Sequence, residues 1–283
     1  MIRLLRQRSA MTLLEVVFVI VILGIVTSIG SKIIANVYES YVVERALYRA
    51  TTKTELAINQ IANRLRYAIP GTVIARPSID STTTKPITSP IGPTDKVLQW
   101  VGYDGDSFEA IGSSANTGTA RRPGWSGVCD INASSGTTIK TPGSHLELTD
   151  TIIKNLGNSH GIRDAVLFFP GGKEYNVSSG TGETITLDTS LASGDVIYER
   201  YMLAWSSYAL EVDGNGDLIL HYNFPAHKGQ AISGDQSSVL LHHVTNFRFK
   251  GSPGSIRIKI CKNEQIGSTA DANVTACKEK VIF

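Results

Sequence analysis

The chain has 283 residues, roughly twice the modal domain length, so one large domain with an appendage and two smaller domains are both admissible. Hydrophobic residues make up 42%, charged residues 18% and aromatic residues 7%, enough to bury a sizeable core, which excludes a wholly disordered, collagen-like or coiled-coil chain. Lys and Arg number 27 against 25 Asp and Glu, and this net charge of +2 is too balanced for an electrostatic nucleic-acid footprint, so nucleic acid is not expected as a partner.

Residues 1–10 read MIRLLRQRSA, with Arg3, Arg6 and Arg8 and no acid. The stretch that follows, MTLLEVVFVIVILGIVTSIG, is apolar apart from a few hydroxyls and one carboxylate, Glu15. As a helix, residues 11–34 would rise roughly 36 Å, enough to cross a hydrocarbon core. The preceding arginines would hold that end in the cytoplasm and place the rest of the chain outside it. Three readings compete. A cleaved secretory signal would use the small residues Ser28-Ile29-Gly30, but its core would contain Glu15. A plain uncleaved anchor explains the apolar run and the arginines, yet a carboxylate at bilayer depth costs on the order of 2–3 kcal/mol and gains nothing there.

The third reading uses the carboxylate. The string R-S-A-M-T-L-L-E-V-V-F-V-I-V-I-L-G-I-V resembles the class III signal of type IV prepilins and type II secretion pseudopilins, whose processing site precedes the apolar run. The resemblance implies cleavage between Ala10 and Met11, removal of residues 1–10 as a leader, and N-methylation of Met11 by the same prepilin peptidase. Thr12, Leu13, Leu14 and Glu15 match the family's Thr-Leu-Ile-Glu entry, and Gly24 matches a glycine deeper in its helix. Ala10 stands where the family usually has glycine and Met11 where it usually has phenylalanine; a small residue is kept before the scissile bond. Many major pilins also have a proline further along this helix, whereas none occurs here before Pro70. In this family the carboxylate is thought to meet the N-terminal amine of an adjacent subunit during assembly. An ammonium about 4 Å from a carboxylate gains roughly 4 kcal/mol at an effective dielectric near 20, comparable to the burial cost. Thr12 and Glu15 are therefore the expected assembly residues.

Residues 34–69 contain neither proline nor glycine, and Ile34, Tyr38, Tyr41, Val42, Ile58, Ile61, Leu65 and Ile69 recur at three- and four-residue steps. This predicts a helix with an apolar stripe over 35–69, continuous with the membrane segment 11–34 and stopped by Pro70-Gly71. Segments 77–95 and 112–144, rich in Ser, Thr, Gly and Pro, read as long surface loops around a short strand at 97–103. Strands are predicted at 152–156, 165–169, 184–187, 196–212, 218–224, 247–250, 256–261 and 275–283, with a hairpin over 206–223 centred on 214–216. The segment SVLLHHVTNFRFK resembles the LLxxVxxFxF segment of larger minor pilins and J-class pseudopilins, where a short turn leads into a strand.

Cys261 follows an alternating strand and Cys277 lies in the closing one, so they are the expected disulfide, with Cys129 free; pairing of Cys129 with either stays open. Glu211, Asp213, Asn215 and Asp217 imitate the start of a calcium loop, but Tyr222 occupies the twelfth position and strands, not helices, flank it, so a hairpin turn is favoured and calcium is a weak candidate. The adjacent His242 and His243, read as strand neighbours, would point to opposite faces. Gly171-Gly172-Lys173 lacks the rest of a phosphate loop, and no serine is tied by spacing to a histidine and an acid. No enzyme, cofactor or metal is expected.

The expected protein is thus α+β and pilin-like, a long N-terminal helix packed on a mainly antiparallel head at 70–283 with long loops near 77–145. The resemblance implies a minor pilin or pseudopilin in the bacterial inner membrane with a periplasmic head, partnered by other pilins, the peptidase and an inner-membrane assembly platform. The alternative is a membrane-anchored periplasmic enzyme or binding protein with its site in 77–145.

Overall fold

No proline interrupts residues 13–65, and glycine occurs only at Gly24 and Gly30, so one helix persists, α1 (Leu13–Leu65), 53 residues that rise about 80 Å. The computed structural model describes residues 12–113, 120–157, 160–192, 194–234, 236–266 and 273–283. Two compact units are distinguished, the first holding α1 as far as Arg49 together with Glu264–Val274, the second Ala50–Asn263 and Thr275–Phe283. In the first unit the side chains from Leu13 to Ile34 are exposed on every face, among them Phe18, Ile22, Leu23 and Ile29. A helix apolar all round is a helix for a nonpolar environment. This one is long and apolar enough to cross a membrane. The Thr27 hydroxyl within this span donates to the Leu23 carbonyl at 2.7 Å, so that polar group is satisfied within the helix.

The remaining elements follow α1 in order. They are β1 (Ile74–Arg76), β2 (Lys85–Pro86), β3 (Val97–Gly102), α2 (Gly105–Glu109), β4 (Ile111–Gly112), β5 (Arg122–Pro123), β6 (Asp130–Ser135), β7 (Thr138–Lys140) and α3 (Leu146–Leu156). Then come β8 (Val166–Phe169), β9 (Lys173–Thr181), β10 (Thr184–Leu187), β11 (Met202–Ala204), β12 (Ser206–Val212) and β13 (Leu218–Phe224). The chain closes with β14 (Gln236–Leu241), β15 (Val244–Ser252), β16 (Ser255–Gln265) and β17 (Asn273–Ile282). One antiparallel sheet runs β14-β13-β12-β3-β1-β2, a second β11-β8-β9-β10-β7-β6, and a third β15-β16-β17, with β4-β5 a separate pair.

The end of α1 belongs to the second unit because its sequence changes character at Ala50. Ala50, Thr54, Ala57, Ile58, Ile61, Ala62 and Leu65 fall on one face and are buried. Of these, Ala57, Ile58, Ile61, Ala62 and Leu65 pack with Leu98 and Trp100 of β3, Leu210 of β12, Leu220 of β13 and Ile258 and Ile260 of β16, so the helix closes a core between the first and third sheets. Small residues at Ala57 and Ala62 let the backbone come close. Thr54 tolerates full burial because its hydroxyl donates to the Ala50 carbonyl at 2.7 Å. On the flank, Lys280 donates to Asn59 at 2.6 Å and Lys278 lies 3.4 Å from Glu55. A second core lies over the second sheet, where Leu146 and Ile153 of α3 pack with Ile139, Val177, Ile185 and Leu203.

Several expectations change here. The predicted stripe divides: Ile34, Tyr38 and Tyr41 are exposed, while Ile58, Ile61, Leu65 and Ile69 are buried. The helix stops at Leu65, not 69, since β3 claims the next residues: Ala68 bridges Gly102, and the Ile69 amide donates to the Val101 carbonyl at 2.8 Å. The predicted strand at 152–156 is the last half of α3, whose buried residues Leu146, Thr149 and Ile153 keep helical spacing. Segment 112–144 is not simply loop, for it contains β5, β6, β7 and the buried Trp125. The run 196–212 begins as irregular chain and then forms β11 and β12. Strands β1 and β9 carry no mark in the sequence strong enough to have been predicted. His242 and His243 occupy a bend between β14 and β15, with His243 at φ 57°, and are not strand neighbours.

A disulfide joins Cys261 on β16 to Cys277 on β17, 16 positions apart. Cys129 is a buried free thiol whose pKa burial pushes up. Closing a loop of about this length stabilises a fold by roughly 3 kcal/mol on the chain-entropy estimate. Cys261→Ser with Cys277→Ser should therefore lower the thermal midpoint by about 6–12 °C, read by circular dichroism, and reductant should lower the wild type equally. A reductant-insensitive midpoint would contradict the bond's contribution.

Candidate functional site

Thr12 is where the predicted assembly segment enters the described chain; Ala10 and Met11 lie outside the described residues. The Thr12 hydroxyl accepts from the Glu15 amide at 3.4 Å and its carbonyl accepts from the Val16 amide at 3.2 Å, so Thr12 is the N-cap of α1. Glu15 then sits at the third helical position, where Thr-x-x-Glu is also the pattern of a capping box. The carboxylate and the helix start thus share one local motif. Gly24 and Gly30 face open space, with nothing within 4 Å of where a Cβ would be. Inside this chain neither glycine is required by packing, although each weakens a helix by about 1 kcal/mol relative to alanine.

The weak calcium candidates are organised as a hairpin. Asp213 accepts from the Asn215 amide at 2.9 Å, the Asp217 amide at 2.7 Å and the Asn215 side chain at 3.2 Å, and these bonds hold its carboxyl below the usual range. Gly216, at φ 81°, supplies the left-handed turn. Glu211 pairs with His221 at 3.3 Å, and Asp217 with His242 at 2.8 Å. Each carboxylate thus has a separate protein partner, and the described residues gather no group of three or more His, Cys, Asp or Glu suited to a metal.

The second unit also contains a cavity of about 770 Å³, within the range of small-ligand sites. Its walls come from the turn after α1, from the segment around Trp125, from the β8–β9 turn and from β11. Trp125 is the centre of an aromatic group, with ring centroids 4.7 Å from Phe108, 5.7 Å from Tyr201 and 6.2 Å from Tyr103. The polar ends of Trp125 and Tyr201 are tied down within the protein. Trp125 Nε1 donates to the Asp104 carbonyl at 2.8 Å. The Tyr201 hydroxyl lies 2.6 Å from the Thr141 hydroxyl, which lies 2.6 Å from that of Ser144. Burial pushes the Tyr201 pKa up to about 12, so the phenol stays neutral. Phe108 and Met202 are partly open to solvent, and Arg200 and Lys228 add two cations. Glu174 is the cavity's acid; it accepts from His227 at 3.1 Å and from the Lys228 amide at 3.4 Å. None of these residues stood out in the sequence except, in hindsight, Trp125, a lone indole in a Gly- and Ser-rich stretch.

Behind this wall Asp104 caps α2, accepting from the Ser107 amide at 3.1 Å, and its other oxygen has no partner among the described residues. Burial pushes its pKa up to about 6, against the pull of Ser107. Between about pH 4 and 6 the folded chain holds a proton that the unfolded chain has lost, so this contribution to stability is full below pH 4 and is lost as pH rises through 6. Asp104→Asn should keep the cap, flatten that part of the pH profile and stabilise the protein at pH 7.5 by roughly 3 kcal/mol. Urea unfolding at pH 4.5 and 7.5 reads this; an unchanged difference between the two pH values would show that Asp104 does not drive it.

These features define a class: an α+β protein with one membrane-length apolar helix leading into antiparallel sheets. No family model, curated protein or solved structure matches the chain.

Proposed function

We propose that this chain is a filament-forming membrane subunit of the minor-pilin or pseudopilin kind, working by assembly and not by catalysis. One observation carries the reading: the first part of α1 exposes apolar side chains on all faces and, among the described residues, finds no partner for them within its own unit. Bilayer lipid satisfies such a surface during storage, and equivalent helices satisfy it in a filament. The open glycines support helix-to-helix contact, because small residues let neighbouring helices approach in an apolar medium. The basic leader, Ala10-Met11 and Glu15 supply the resemblance to prepilin signals. On this reading the protein is stored in the bacterial inner membrane with its β-rich part in the periplasm, is cut and N-methylated at Met11 by a prepilin peptidase, and joins other pilins or pseudopilins at an assembly platform.

N-terminal sequencing of the protein extracted from its native membrane tests this. The expected chain begins at Met11 with a methylated amine. A start at Met1 would make it a simple anchor, and a start at Ser31 a secreted protein; either defeats the proposal. The second reading, a membrane-anchored periplasmic enzyme or binding protein, is favoured by the cavity, since Tyr103, Phe108 and Trp125 in its wall come from segment 77–145.

A further inference from the structure

We infer that the cavity in the second unit binds an acidic sugar, a hydroxylated ring carrying a carboxylate. The inference rests on this unit alone and holds for either reading of the helix. Charge gives the sign of the ligand. Glu174 is already engaged by His227 and by the Lys228 amide, whereas the Arg200 guanidinium and the Lys228 ammonium have no acidic partner among the described residues. Two uncommitted cations beside one committed carboxylate attract an anion, and a guanidinium can grip a carboxylate through two parallel hydrogen bonds.

The wall gives the body of the ligand. Its aromatic members, with Met202, present flat or apolar surface, and the polar atoms of Trp125 and Tyr201 are already bonded within the protein, so much of the surface is set before anything binds. An inorganic anion would leave that surface uncovered. The rim is of another kind: Gly71 and Gly171, at φ 83° and 88°, border the space with main chain that carries no side chain and has no close side-chain neighbour. Bare peptide groups suit several hydroxyls, which a fatty acid or a benzoate lacks. A ring with apolar faces, hydroxyl edges and one carboxylate meets all three features.

The test uses the full chain in a non-glycosidic detergent, so that no detergent sugar competes. The probes are a trigalacturonate, the neutral galactose trimer, benzoate and inorganic phosphate, each at millimolar concentration. Saturation-transfer NMR and tryptophan fluorescence report binding. The expected result is binding of the trigalacturonate, at least tenfold weaker binding of the neutral trimer, and a further weakening of the acidic probe in high salt. Arg200→Gln with Lys228→Gln, both at exposed side chains, should weaken the acidic trimer at least tenfold without moving the thermal midpoint. Met202→Trp at the mouth should also block it. Equal binding of the acidic and neutral trimers, binding of benzoate or phosphate as strong as that of the trigalacturonate, an unaffected double variant, or no binding of any probe would each overturn the inference.

Discussion

Glu15→Ala should leave the protein inserted in the membrane and cut at its usual place, yet keep it out of filaments. Removing a carboxylate from an apolar run makes insertion easier, so loss at the insertion step is not expected. What disappears is the partner for an amine at the start of a neighbouring helix. A contact worth only about 1.4 kcal/mol shifts an equilibrium tenfold, and a charge pair in an apolar setting exceeds that, so incorporation should fall by more than tenfold. Glu15→Gln separates this from the second use of the same residue. Thr12 already caps α1 through the Glu15 amide, which no side-chain change removes. In a capping box glutamine serves nearly as well as glutamate. The glutamine variant should therefore keep the helix start and still fail to assemble. Quantitative immunoblots of sheared filaments against the membrane fraction give the readout. Normal assembly of the glutamine variant would assign Glu15 to the helix cap alone.

How much of this was legible depends on how locally each feature is encoded. Helix α1 could be read because its signals, an unbroken apolar run and then helical spacing, lie within one stretch of chain. The hairpin around Gly214-Asn215-Gly216 could be read for the same reason, since turn residues sit between two alternating strands. The last half of helix α3 reads as a strand because Thr151, Ile152 and Ile153 are β-branched neighbours, and only the packing of Leu146 and Ile153 on a sheet distant in sequence settles the helical choice. Strand β1 is three residues long, and its identity comes from pairing with β2 and β3. Of the cavity, the sequence marks only segment 77–145 as a possible site, and it singles out none of the lining side chains named above. Phe108, Trp125, Arg200 and Lys228 span more than a hundred residues, and no spacing rule links them. His242 and His243 read as strand neighbours only while the pair is taken alone; they lie in a bend between β14 and β15, in the segment whose resemblance implies a short turn leading into a strand.

Arg76→Leu should be the most damaging conservative-volume change in the second unit. Arg76 ends β1 with 1% of its surface exposed, and burial lowers its pKa from the ordinary value. Among the described residues it has no carboxylate hydrogen-bond partner; instead Nη1 donates to the Ser81 carbonyl at 3.0 Å, and Nη2 donates to the Gly229 carbonyl at 2.6 Å and to the Gln230 carbonyl. The guanidinium therefore ties two segments about 150 positions apart in the sequence to the same strand end. Two terms oppose each other on substitution. Leucine relieves the desolvation of a buried charge, which can make such replacements neutral when the partners are removed as well. Here the partners are main-chain carbonyls that remain, and each stranded acceptor costs about 1–3 kcal/mol. Gln99, which donates to the Gln230 carbonyl at 3.0 Å, rescues one of the three. The net loss should be roughly 3 kcal/mol, a fall in thermal midpoint of about 6–12 °C. Arg76→Lys keeps the charge but reaches fewer carbonyls, so its midpoint should lie between those of Arg76→Leu and the wild type. Limited proteolysis adds a local readout: the segments around Ser81 and Gly229 should become cleavable in the leucine variant before the unit melts. A leucine variant that melts with the wild type and resists cleavage would mean that desolvation outweighs the three bonds.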